Sequence, residues 1–187
     1  MKKFFHDYLY SIIKLFVNQF AIAIFGIALF VPTFMELETL CLAASMFSVM
    51  FYLFLIYVPM WEIGAKDRIS VDVGKKPYRP HLGLLISLCA NIPNLLLAFL
   101  CLFNFDLRTI ATLLQGMYWG IISKTRLPFG EGGAYVSISE FWVTYLIIII
   151  PALLTCWLAY YLGFKNFKIS SIFTQEKKKE EQPKIKK

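Results

Sequence analysis

Apolar and polar positions fall in long blocks along this chain. Four apolar runs, about residues 15–33, 40–60, 82–103 and 138–162, are separated by shorter polar stretches. Each run is near the roughly 20 residues needed to cross a hydrocarbon core as a helix. The pattern predicts an all-α integral membrane protein with four transmembrane helices in a single domain, residues 1–164. A basic, disordered tail at 165–187 is expected to follow. The first run succeeds the short basic, aromatic stretch Met1–Lys14. It is longer than the apolar part of a signal peptide and is followed by Phe30, Pro32 and Phe34 rather than a small-x-small site. It is therefore expected to be a retained span.

The boundaries carry local signals. Thr33 and Glu36 have the spacing of a capping box, as do Ser137 and Glu140 before the last run. The link between the first two runs is so short that they should form an antiparallel hairpin. Ala44 and Ser48 make a small-xxx-small pair that lets helix backbones approach. The third run is interrupted by Asn91, Pro93 and Asn94. Proline removes a backbone donor and clashes with the preceding turn, and such a break in a bilayer needs neighbours to satisfy the freed groups. This polar kink should face the bundle interior and is the candidate interior site. Pro151 predicts a second kink, in the last run.

Between residues 107 and 122, apolar residues recur at helical spacing with Arg108, Thr109, Thr112 and Gln115 opposite them. About sixteen residues containing Gly116 and Gly120 make a poor span. An amphipathic helix that lies in the interface or re-enters partway is expected, with a fifth span as the alternative. The following SKTRLPFGEGGAY reads as a Gly/Pro loop.

The longest polar stretch, Trp61–His81, holds Lys66, Arg68, Lys75, Lys76 and Arg79, and Gly64, Gly74, Pro77 and Pro80 should break any helix through it. With Asp67 these residues are candidate contacts to anionic headgroups or a partner. Counting Lys and Arg by side decides the topology. With four spans, sixteen of the nineteen lie at the N-terminus, this loop and the tail, leaving Arg108, Lys124 and Arg126 opposite. The positive-inside rule then places both termini in the cytoplasm; a fifth span would send the basic tail outside.

Composition agrees with a bilayer environment. Hydrophobic residues are 58% and charged residues 17% of 187, with a mean hydropathy of +0.63, against about 45–50% and about 25% in soluble domains. The net charge of +7 is therefore read as membrane-surface charge, and no nucleic acid is expected. Cys41, Cys89, Cys101 and Cys156 all lie inside apolar runs without a CxxC pair and read as small packing residues. Two histidines, no HExxH, no GxSxG and no ionisable residue deep in a span leave no catalytic signature. No cofactor or metal is expected.

The stretch W-x-x-G-x-K-D-R at Trp61, Gly64, Lys66, Asp67 and Arg68, with Gly83 and Ala90-Asn91-Ile92-Pro93, resembles small uncharacterised multi-span membrane proteins of Gram-positive bacteria. The resemblance covers Trp61 to Pro93. This chain has Ile69 where those proteins carry an asparagine, and Pro80-His81 in place of their Lys-Gly step. The resemblance implies a bacterial plasma membrane and no particular chemistry. The function expected from all this is a non-enzymatic accessory or scaffold subunit of a membrane complex, in contact with anionic lipid and with a protein partner or further copies of itself. A small transporter or channel component using the polar kink is the alternative. A lipid-modifying enzyme with Asp67–Arg68 at the headgroups is the least favoured.

Overall fold

The computed structural model describes residues 2–30, 38–129 and 134–167. It is mostly helical. In order, α1 spans Lys2–Phe30, α2 Glu38–Asp72, α3 Leu82–Ala90, α4 Ile92–Leu100, α5 Leu107–Leu114 and α6 Trp119–Lys124. A hairpin of β1 (Arg126–Phe129) and β2 (Ala134–Ser137) follows, then α7 (Trp142–Ile147) and α8 (Ile150–Phe164). Among the described residues, three helical segments are long and apolar enough to cross a membrane: Phe4–Ala28, Thr39–Asp72 and Trp142–Phe164. A fourth crossing results if α3 and α4, bent by 55°, act as one span.

The polar stretch after Met60 is not a loop from its start. α2 runs through Gly64 to Asp72, and only residues 73–81 turn. Gly64 does not break the helix because it is needed for contact: a Cβ there would collide with the backbone carbonyl of Tyr160 on α8, and one at Gly163 with that of Trp61. The bare backbones let α2 and α8 touch. The helix ends where Gly74 takes a φ of +75°, a left-handed conformation that side chains resist. At 35 residues, α2 is about 52 Å long, well over a hydrocarbon core of about 30 Å. It is thus longer than a crossing requires.

One stripe of α2 faces inward: Cys41, Ser45, Ser48, Tyr52, Ile56, Met60, Gly64 and Asp67 are all buried. The steps of three and four residues are those of one helix face. The close contact near its start is made by Cys41 and Ser45, which meet Gly120, while Ser48 is buried further along and Ala44 is half-buried. Ser45 Oγ donates to the carbonyl of Met117 at 2.7 Å.

The amphipathic segment is short and broken. α5 passes through a 3-10 turn at Gly116–Tyr118 into α6, and this turn packs between α1 and α2. A Cβ on Gly116 would meet the carbonyl of Ala23, and one on Gly120 that of Cys41. Met117 and Ile122 are fully buried. Ala23 lies about 10 Å along α1 from Phe30 at 1.5 Å per residue, so the segment enters the bundle rather than resting on its end.

Two prolines shape the remaining helices. Pro93 and Pro151 each stand at the start of a new helix, α4 and α8, because neither can donate to the residue four before it. The second capping spacing does not start a long helix: Ser137 Oγ accepts from the backbone N–H of Ser139 and caps only the 3-10 turn Ile138–Glu140. The first, at Thr33 and Glu36, lies outside the described residues, as does most of the basic tail. The hairpin was not legible in the sequence, since four-residue strands flanking a glycine-rich link give too little alternation to read. Arg126 pairs with Ser137, and Phe129 with Ala134.

Candidate functional site

Four helices meet at one end of the bundle: the start of α1, the end of α2, the start of α3 and the end of α8. Asp67 extends the buried stripe of α2 to this end and is itself buried. Its Oδ2 accepts two hydroxyl hydrogen bonds, from Tyr8 on α1 at 2.7 Å and from Tyr160 on α8 at 3.2 Å. Its Oδ1 lies 3.7 Å from Lys76 Nζ, which comes from the 73–81 turn. Lys76 also pairs with Asp7 of α1 at 3.0 Å and lies over the Tyr8 ring, 4.9 Å from its centroid.

A buried carboxylate is costly unless donors and a counter-charge surround it. Here two hydroxyls and an ammonium do so, each from a different segment, and the result is a latch across α1, α2, α8 and the turn. Beside it is a cavity of about 150 Å³. Asp67, Leu82, Tyr8 and Tyr160 form its buried side, and Lys75, Pro77 and Arg79 its exposed rim. Aromatic contacts surround this end: Tyr78 packs on Phe164 with ring centroids 4.2 Å apart, and Trp61 Nε1 donates to the carbonyl of Phe167 at 2.9 Å.

Of the six candidates in the polar stretch, Asp67, Lys75, Lys76 and Arg79 come together around this cavity. Lys66 and Arg68 do not. Lys66 is exposed on the outer face of α2, and Arg68 reaches Asp72 at 3.7 Å. Asp67 and Arg68 are adjacent in sequence but point apart, because successive residues on a helix differ by about a quarter turn. Asp7, Tyr8 and Tyr160 escaped the sequence reading. Tyr8 starts the inward stripe that continues through Ile12, Leu15 and Gln19, so its helical spacing was the available signal; nothing linked Tyr160 to Asp67, 93 residues away.

The interior candidates occupy a second place. Asn91 and Asn94 are buried at the α3–α4 bend, and Pro93 is half-buried beside them. Asn91 Nδ2 donates to the carbonyl of Ser87 at 2.9 Å, and Asn94 Nδ2 donates to Asn91 Oδ1 at 3.0 Å. The Ser87 carbonyl also accepts the backbone N–H of Asn91 at 3.0 Å, so the two side-chain bonds knit the bend between α3 and α4. Asn94 Oδ1 is buried without a donor among the described residues. Tyr52, Ile56, Met60 and Ile86 are fully or nearly fully buried in one hydrophobic cluster. No group of three or more metal-ligating side chains occurs among the described residues. Compared with known proteins, the chain matches no family model, no curated protein and no solved structure.

Proposed function

We propose that this is a non-enzymatic protein of a bacterial plasma membrane that acts by association, as an accessory or scaffold subunit of a membrane complex. The observation that carries this reading is the latch at Asp67. The ionisable and hydroxyl groups gathered there are spent on one another, tying α1, α2, α8 and the turn into one stiff end. What that end offers outward is a rim of basic side chains, Lys75 and Arg79, with Lys66 and Arg68 nearby on α2. A rigid, positively charged surface suits docking more than turnover.

In this reading the chain crosses the membrane four times, with α3 and α4 as one bent span, and both termini are cytoplasmic. The meeting of the start of α1 with the ends of α2 and α8 supports a common side for both termini, and the sixteen basic residues on that side support the cytoplasm. Extraction from the native membrane in mild detergent should yield a complex larger than the chain with a reproducible protein partner. Recovery only as a lone, monodisperse monomer would sink the proposal.

The unpartnered Asn94 Oδ1 favours a second reading, a transport or channel component in which Asn91, Pro93 and Asn94 line a path completed by other chains. It expects a solute flux in liposomes that Asn91→Leu abolishes; no flux from wild-type protein ends it. The lipid-enzyme reading has the least support, because Asp67 faces inward while Arg68 faces out.

A further inference from the structure

We propose that the cavity beside Asp67 binds one phosphate group, with Lys75 and Arg79 as its charged ligands and an anionic phospholipid headgroup as the favoured carrier. The inference belongs to the single chain and stands apart from the association reading, since it needs no partner protein.

The charge arrangement points to an anion. Three cations and two carboxylates line the cavity. Lys76 is held by both carboxylates, at 3.0 Å from Asp7 and 3.7 Å from Asp67, and Asp67 is further covered by the two tyrosine hydroxyls. The negative charge is thus turned inward and already matched. Lys75 and Arg79 stand at the rim and form no ion pair among the described residues. A cation would find the place between the carboxylates filled by the Lys76 ammonium. An anion would find two unmatched donors, one of them a guanidinium whose fork matches phosphate oxygens.

The rim is also pre-set. Pro77 and Pro80 fix φ on either side of Arg79, and the Lys76 anchor pins the turn to α1 and α2. Backbone N–H groups of both Lys75 and Lys76 donate to the carbonyl of Ser70, holding the start of the turn on the last coil of α2. Less freedom is then lost on binding.

Size and depth select the ligand. A cavity of about 150 Å³ is the size that holds a benzene-sized molecule, room for a phosphate with few further atoms and too small for a bulky headgroup. If the hydrocarbon core ends near Met60, Asp67 lies about 10 Å further along α2, at the outer headgroup level. The aromatic residues Trp61, Tyr78 and Phe164 at the same end fit an interfacial belt.

The test is native mass spectrometry of the full chain in detergent, titrated separately with phosphatidic acid, phosphatidylglycerol, phosphatidylcholine and inorganic phosphate. The expected result is one tightly retained phosphatidic acid or phosphatidylglycerol and no retained phosphatidylcholine. A Lys75→Gln/Arg79→Gln variant should weaken retention at least tenfold. The control variant Lys66→Gln/Arg68→Gln removes the same charge from the outer face of α2 and should change it less than twofold. Tryptophan fluorescence on heating checks that both variants are folded. Inorganic phosphate bound with the same dependence on Lys75 and Arg79, without bound lipid, supports the site with the soluble anion as its ligand. Equal losses in the two variants, or retention of phosphatidylcholine as strong as that of the anionic lipids, overturn the proposal by reducing it to general surface charge.

Discussion

Removing the Tyr8 hydroxyl tests the latch most directly. Tyr8→Phe keeps the ring, and hence its packing, and deletes one donor to Asp67 Oδ2. A hydrogen bond to a charged group contributes about 1.5–3 kcal/mol. At 2.7 Å in a buried setting the loss should be about 2 kcal/mol. Tyr160→Phe deletes the longer bond, at 3.2 Å, and should cost about 1 kcal/mol. The two donors serve the same oxygen, so their removal should not add. With either one left, Oδ2 still has a donor; with both gone, only Lys76 faces the carboxylate, and a bare buried acceptor costs a further 1–3 kcal/mol or so. The double variant should exceed the sum of the singles by more than about 0.5 kcal/mol, the coupling expected within one network. Unfolding by sodium dodecyl sulfate in mixed micelles, followed by the fluorescence of the four tryptophans, measures all three. A Tyr8→Phe variant within 0.5 kcal/mol of wild type, or strict additivity, would refute the reasoning.

Two further predictions concern the packing that holds the site in place. Gly64→Ala should destabilise the bundle by about 1–3 kcal/mol, since overpacking forces the backbones of α2 and α8 apart; Gly163→Ala should do the same, and the pair together should cost less than the sum because one separation relieves both, a point the same unfolding assay decides. At the α3–α4 bend, Asn94→Leu exchanges one orphaned acceptor, Asn94 Oδ1, for another, Asn91 Oδ1, and should change stability by less than about 1 kcal/mol, whereas Asn91→Leu leaves the Ser87 carbonyl its backbone donor but strands the buried Asn94 amide and should cost about 1–3 kcal/mol. Equal costs at the two positions would mean that Asn94 Oδ1 has a partner outside this chain.

The long, apolar helices were legible in the sequence because a bilayer imposes a one-dimensional rule on any helix that crosses it. A crossing helix must be apolar over a fixed length, and that length can be counted along the chain without knowing any contact. The places where helices stop were partly legible for a similar reason: Pro93 and Pro151 act on their own preceding turn, so their effect is local. Gly64 misled the reading because a glycine does two jobs. It can loosen a helix or let another backbone touch it, and the choice depends on whether α8 is there.

The candidate site shows the same division. Lys75, Lys76 and Arg79 were recognisable as a basic stretch, since charge density is a property of neighbours in sequence. That Lys76 is bound inward while Lys75 and Arg79 form no ion pair among the described residues depends on Asp7 and Asp67, 69 and 9 residues before Lys76. That Asp67 is buried follows from its place on the α2 stripe, but only once α2 is known to continue past Met60. By itself the sequence determined which segments are long and apolar enough to cross a membrane, and in which stretches of the chain its basic residues cluster. Only the tertiary structure decided which charges cancel, because a salt bridge or a hydroxyl donor acts over about 3 Å in space, and the chain brings those atoms together from its two ends.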